Sequence, residues 1–243
     1  MRLSRVYVAE PIAGRRTCEL GGTAANHVLR VLRLRAGESL TLFDGTGGEY
    51  AATLDKSSRD RVVVTVGEHS AVERESPVNV TLIQGISRSE RMDLVVQKAT
   101  ELGVTRIVPV TTERTVVRIG APQSDRKSEH WRAIAIAACE QCGRNRLPEL
   151  RTPISLHGWL EGWQPAATAL LLSMHADTRL GAALAAARKI DLLIGPEGGL
   201  TADEESAALA AGFRGVNLGP RVLRTETAAI AALAAIQHAV GDL

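Results

Sequence analysis

Near the carboxyl end, Leu218 to Leu233 reads LGPRVLRTETAAIAAL: a Gly-Pro turn, a basic segment, then Thr225-Glu226-Thr227 at the head of an Ala/Ile/Leu helix. An apolar strand leads into this turn. A second turn of the same kind lies upstream, where Leu193-Ile194 runs into Gly195-Pro196-Glu197-Gly198-Gly199 ahead of another helix. A strand that ends in a glycine-bearing turn and continues as a helix is a building unit of α/β sheets, whose ligands bind outside the carboxyl ends of the strands. Either turn alone is ordinary punctuation, since Gly-Pro commonly marks a strand exit. The pair, followed by Arg224-Thr225-Glu226-Thr227, points to two walls of one site.

The rest of the second half supports that sheet. From Val78 onward, strand candidates at Val80–Gln84, Arg106–Val110, Ala169–Ser173, Asp191–Ile194 and Gly215–Leu218 alternate with helix candidates at Arg88–Leu102, Ser124–Cys142, Thr178–Ala187, Thr201–Ala211 and Thr225–Val240. In the first helix Met92, Val95, Val96, Ala99 and Leu102 recur at helical spacing and Gly103 supplies a left-handed stop. Thr201 and Glu204 form a capping box. This alternation predicts a mainly parallel sheet covered on both faces.

Residues 1–70 read differently, as a small β-barrel with one short helix. Val6–Val8, Ser39–Phe43, Tyr50–Leu54 and Val62–Val66 are short strand-like runs, and Asp44-Gly45-Thr46-Gly47-Gly48 has hairpin chemistry. Asn26–Leu34 suits a helix with Val28, Leu29, Val31 and Leu32 beside Arg30 and Arg33, with Arg35 just beyond. A charged, apolar-poor stretch marks residues 71–77 as a linker, leaving 78–243 for the α/β domain.

Several functions are set aside by what is missing. No G-x-G-x-x-G or G-x-x-x-x-G-K-[ST] occurs, which argues against a nicotinamide oxidoreductase and a P-loop enzyme. Cys139 and Cys142 make one C-x-x-C inside a helix without a second ligand pair, and the histidines lack metal-ligand spacing, so no metal is expected. With three cysteines, no apolar run near 20 residues and an N-terminus without an apolar leader core, a cytoplasmic, non-membrane protein is expected. The net charge of +2 is unevenly spread: residues 1–35 hold seven arginines against Glu10 and Glu19, and residues 114–151 are also basic. Such regions suit either a phosphate backbone or plain solvation.

The blocks HVLRVLRLRAGESLTLFDG (27–45), RSERMDLVVQKATELGV (88–104), AIAACEQCGRNRLPE (135–149), LIGPEGGLTADE (193–204) and LGPRVLRTETA (218–228) together resemble the bacterial ribosomal RNA small subunit methyltransferase E family of the SPOUT class. The resemblance runs through nearly the whole chain. It implies a PUA-like β-barrel followed by a SPOUT α/β domain with a deep trefoil knot, where periodicity alone suggests a doubly wound sheet. It further implies a homodimer that transfers a methyl group from S-adenosylmethionine to N3 of a uridine in 16S ribosomal RNA.

Carried onto this chain, the family's cofactor wall falls on Gly195, Pro196, Glu197, Gly198 and Gly199, and on Leu218, Gly219, Arg221, Val222, Leu223 and Arg224. Leu172, Ser173 and Met174 form a third edge, although SMHAD departs from the family pattern there. Arg224 is the candidate for stabilising charge on the uracil oxygens, and Glu226 or Glu197 for receiving the N3 proton. Glu226 at a helix head also has a purely structural reading, as complement to the helix dipole. RNA contacts are expected from Arg5, Arg30, Arg33 and Arg35 and from Arg144, Asn145 and Arg146. The alternative is a non-catalytic RNA-binding or ribosome-assembly factor that uses the knot only to dimerise.

Overall fold

The computed structural model describes residues 4–116, 121–164, 168–185 and 187–243. The chain divides into two compact units, residues 1–75 with 136–147, and residues 76–135 with 148–243. A single cut at 71–77 does not reproduce this division. Residues 72–75 and 144–146 are laced together inside the first unit, by Asn145 Nδ2 donating to the Val72 carbonyl at 2.7 Å and Arg144 Nε to Glu75 at 2.9 Å.

In the first unit, β1 (Arg5–Tyr7), β2 (Thr17–Gly21), β3 (Ser39–Phe43), β4 (Glu49–Ser57) and β5 (Arg61–Ser70) form a curled sheet of order β1-β3-β4-β5-β2. Alternate residues point inward, as the period of two requires: Cys18 and Leu20, Ala52 and Leu54, Val62 and Val64 are all buried. The β3–β4 turn is held by Asp44, whose Oδ1 accepts the Thr46 N–H and hydroxyl, with Gly45, Gly47 and Gly48 all at positive φ. The expected helix over Asn26–Leu34 is instead α1 (Gly22–Asn26) followed by a wide π turn over His27–Leu32, and Arg33 ends it at φ 57°. Ala25 and Val28 plug the sheet while Arg30, Arg33 and Arg35 stay exposed.

The second unit is built on β6 (Asn79–Gly85), β7 (Arg106–Thr111), β8 (Glu149–Leu150), β9 (Ile154–Ser155), β10 (Thr168–Leu172), β11 (Lys189–Ile194) and β12 (Arg214–Val216). Their order is β12-β10-β11-β6-β7-β8, with β9 also on β7, and every pairing is parallel. Pro109 interrupts β7 without cost to the ladder. It falls between the residues paired to β8, Arg106 and Ile107, and those paired to β9, Val110 and Thr111.

Successive residues of the central strands divide between two cores. Leu82, Ile107, Leu170 and Leu192 join one with α2 (Ser89–Glu101) and α6 (Thr225–Val240), and Ile83, Val108, Leu171 and Leu193 join another on the opposite face. The second core takes in Leu156 of α4 (Leu156–Gly162) and Ala208 of α5 (Ala202–Ala211), while α3 (Ala121–Cys142) adds Trp131 and Ala135 to the first. Gly103 does stop α2, at φ 77°, and the Thr201–Glu204 capping box heads α5. The helix expected over Thr178–Ala187 is only a 3-10 turn, Leu180–Ala183, with Ala186 outside the described residues. Its backbone is diverted into pairing, the Leu180 N–H bonding the Asn217 carbonyl at 2.9 Å.

Candidate active site at three strand ends

The sheet order places β10 between β11 and β12, so the carboxyl ends of these three parallel strands lie side by side. The segments that leave them enclose a cleft of about 570 Å³. Its wall contains Leu172, Ser173 and Met174 after β10, Gly195 to Leu200 after β11, and Asn217 to Gly219 with Arg221 to Thr225 after β12. Every residue assigned above to the cofactor wall lies on it.

The first loop is folded tightly by its glycines. The Gly199 N–H bonds the Pro196 carbonyl at 2.9 Å with Gly199 at φ 69°. Gly85, at the end of β6, lies so close beneath that a Cβ there would sit 2.4 Å from Pro196 N. Arg114 clamps the loop's far side, donating to the Gly198 and Leu200 carbonyls at 3.0 and 3.2 Å.

The second loop begins with Asn217. Its Oδ1 accepts the Gly219 N–H at 2.9 Å and its Nδ2 donates to the Ala176 carbonyl at 2.6 Å, so one side chain ties the second loop to the third edge. This turn ends β12 at Val216, two residues before the strand end expected from sequence. Arg221, Val222 and Arg224 are exposed along the cleft, Val222 at 78%. The third edge is anchored by Ser173, whose hydroxyl faces the Glu205 carboxylate at 3.2 Å and whose N–H bonds Val216.

The three candidate catalytic residues part company here. Arg224 and Glu197 are on the cleft wall; Glu226, 9% exposed in the first turn of α6, is not. Both acids instead face Arg91 of α2, Glu197 Oε1 at 3.3 Å from Nη1 and Glu226 Oε1 at 3.8 Å from Nε. Glu197 Oε1 also accepts the Arg88 N–H at 2.9 Å. Four polar atoms of this neighbourhood, Gln84 Oε1, Ser87 Oγ, Glu197 Oε2 and Glu226 Oε2, are buried without a hydrogen-bond partner among the described residues. Sequence reading passed over Arg91, Arg114, Asn217 and Glu205. Arg91 stands inside one of the family-like blocks, but its two acids lie far along the chain and no local signal joins them.

The expected RNA contacts need correction. Arg5 is held inside the first unit by Glu49, by Asn145 Oδ1 at 2.7 Å and by the Arg144 carbonyl at 3.1 Å, over the Phe43 ring. Arg144, 3% exposed, is paired with Glu75, and Asn145 is fully buried. Arg144 and Asn145 are buried and Arg5 is half-buried, each with its polar groups turned to partners within the first unit, so they do not form a solvent-facing basic surface. Arg146 remains exposed but pairs with Glu73. Arg30, Arg33 and Arg35 are exposed and carry no ion pair among the described residues. Cys139 is buried, and its hydrogen bond with the Cys142 thiol together with desolvation pushes its own thiol well above the ordinary range. No helix among the described residues is long and apolar enough to cross a membrane.

A parallel sheet with this cleft, in a chain that also carries a small curled sheet, has the parts of an RNA methyltransferase: residues 74–237 match the RNA methyltransferase domain model and residues 20–67 the RNA methyltransferase PUA domain model. The chain is 39% identical to ribosomal RNA small subunit methyltransferase E of Neisseria gonorrhoeae, solved bound to S-adenosyl methionine, with a TM-score of 0.91 and 100% of each chain covered. It is 40% identical to a candidate methyltransferase of Legionella pneumophila in complex with the cofactor SAM, with a TM-score of 0.96 and again 100% of each. It is 31% identical over 242 residues to ribosomal RNA small subunit methyltransferase E of Buchnera aphidicola subsp. Schizaphis graminum, covering 100% of this chain and 98% of that one. The chain belongs to the ribosomal RNA small subunit methyltransferase E family.

Proposed function

We propose that this protein methylates N3 of a uridine in 16S ribosomal RNA, with S-adenosylmethionine as donor, acting as a homodimer in the cytoplasm. The observation that carries the reading is the glycine-lined cleft at the ends of β10, β11 and β12, joined to the family relationship. The residues fit the cofactor. Gly85 and Gly195 let backbone approach backbone where a Cβ would collide, leaving loop groups free to line a ligand. Leu172, Leu218 and Leu223 offer apolar wall for a purine, and Glu205 offers a carboxylate to a cationic ligand. The knotted threading implied by the family likeness is part of this proposal, with the loops after β11 and before α6 as its arms.

When bound, the cofactor supplies an electrophilic methyl group, so the protein's work is alignment and handling one proton. The uridine N3 lies on the pairing edge, and the base must be unpaired or flipped to enter the cleft, at a cost of a few kcal/mol when it starts stacked. Arg224, at the cleft rim, stabilises charge developing on the uracil oxygens, and a carboxylate of the Glu197–Glu226 pair accepts the N3 proton directly or through water. Arg30, Arg33, Arg35 and Arg146 are the solvent-facing candidates for phosphate contacts.

The test is a map of N3-methylated uridines in small-subunit RNA from cells with and without the protein. Loss of one methyl at one uridine is expected. An unchanged map, with RNA binding but no cofactor binding by the purified protein, contradicts the reading and supports an assembly factor.

A further inference from the structure

Arg91 is the shared counter-ion of two acids that differ in access. Glu197 and Glu226 each turn one oxygen to its guanidinium, at 3.3 and 3.8 Å, and each has a second oxygen that is buried and unpartnered among the described residues. Buried polar atoms without partners are rare and costly, roughly 1–3 kcal/mol each, so acceptor capacity left over beside a cleft marks a place for an incoming hydrogen. Only Glu197 is on the cleft wall. Glu226 lies behind Arg91 in the first turn of α6, where the helix N-terminus favours its charge. A second tether, the Arg88 N–H on Glu197 Oε1, fixes Glu197 from the same side as Arg91.

Resting on the function proposed above, we infer that Glu197 is the proton acceptor and that Arg91, seated by Glu226, is the positioning residue that keeps this carboxylate at the cleft. In the step, the acceptor nitrogen forms its bond to the methyl carbon and the carbon–sulfur bond breaks with its electron pair passing to sulfur. The N3 proton goes to the Glu197 carboxylate and later to solvent. Glu226 never exchanges a proton with substrate; its charge holds the guanidinium between the two acids. The other charged or titratable groups on the wall are Arg114, His175, Glu205, Arg221 and Arg224. Arginines stay charged throughout the working range, so an acid limb in the rate belongs to a carboxylate or to His175.

The test is the single-turnover rate against pH for the full chain on unmethylated small-subunit RNA, with calorimetric titration of S-adenosylmethionine as the control for an intact cleft. Glu197→Gln is expected to slow transfer about 100-fold or more and to abolish the acid limb, while cofactor affinity stays within about tenfold. Glu197→Asp keeps the limb at reduced rate and serves if the Gln variant does not fold. Glu226→Gln and Arg91→Gln slow transfer by up to about 100-fold through misplacement yet retain the limb, and Arg91→Lys restores part of the loss. His175→Ala leaves the limb in place. Full activity in Glu197→Gln, or an acid limb lost in Glu226→Gln and kept in Glu197→Gln, overturns the division of roles alone. A wild-type protein that transfers no methyl overturns the proposed function with it.

Discussion

The Thr225 hydroxyl donates to the Gly195 carbonyl at 2.8 Å, joining the head of α6 to the loop after β11 across 30 positions of sequence. Gln84 Nε2 donates to the same hydroxyl at 3.0 Å, so one buried side chain links β6 and both glycine-bearing loops. Thr225→Val keeps the shape and removes the link. The Gly195 carbonyl and the buried Gln84 amide then each lose a partner, at about 1–3 kcal/mol. Denaturant unfolding is expected to show that loss, with S-adenosylmethionine affinity at least about tenfold weaker, while Thr225→Ser retains both. Equal stability and affinity in the Val variant contradict the link.

Gly85 tests the packing beneath the first loop. An added Cβ would stand 2.4 Å from Pro196 N and 2.7 Å from the Gly195 carbonyl carbon, both backbone atoms that cannot swing aside. Gly85→Ala therefore displaces the Gly195–Gly199 loop. A stability loss of about 1–3 kcal/mol is expected, together with cofactor affinity reduced by more than about tenfold. Wild-type affinity in this variant contradicts the role given to the loop.

The basic residues of the first unit separate into two groups with opposite expected behaviour. Arg144→Ala leaves Glu75 without its buried partner, and unfolding is expected to show a loss of about 3–5 kcal/mol. Replacing Arg30 and Arg33 together by Ala is expected to change stability by less than about 0.5 kcal/mol for each. It should lower the salt slope of RNA binding by about one unit per residue. A salt slope equal to wild type removes these arginines from the RNA surface.

Glu49 makes part of the stability depend on pH. Burial pushes its carboxyl up, but hydrogen bonds and charge from Arg5 and Arg74 outweigh this and hold it below the ordinary value. A carboxylate with a depressed native pKa adds stability above its unfolded pKa and loses that contribution as pH falls through the native pKa. Glu49→Gln is thus expected to lower the denaturant midpoint at neutral pH, and the gap should close in acid. A gap that is constant with pH contradicts this.

What the sequence made legible was local. α6 has the boundaries expected from its Thr-Glu-Thr head and Ala/Ile periodicity, and Gly103 and the Thr201–Glu204 box act where they stand. β2 was missed because Cys18 and Leu20 are its only alternating pair and its pairing with β5, Thr17 opposite Thr65, is remote. The helix expected from Thr178 was lost to a pairing with Asn217 that no local pattern encodes. The cleft loops were visible as glycine turns after apolar strands. Their clamps were not: Arg91 and Arg114 reach them from distant segments, 106 and 84 positions away. The inward pairing of Arg5 and Arg144 was hidden for the same reason, since charge is written in the sequence and Glu49 and Glu75, 44 and 69 positions distant, are not written beside it.

The most direct measurement is a calorimetric titration of the purified full chain with S-adenosylmethionine, repeated with Gly85→Ala. Saturable binding at one site per chain, lost or strongly weakened in the variant, is the expected result. No heat from the wild-type protein, or binding that the variant leaves untouched, contradicts the assignment of the cleft at the ends of β10, β11 and β12.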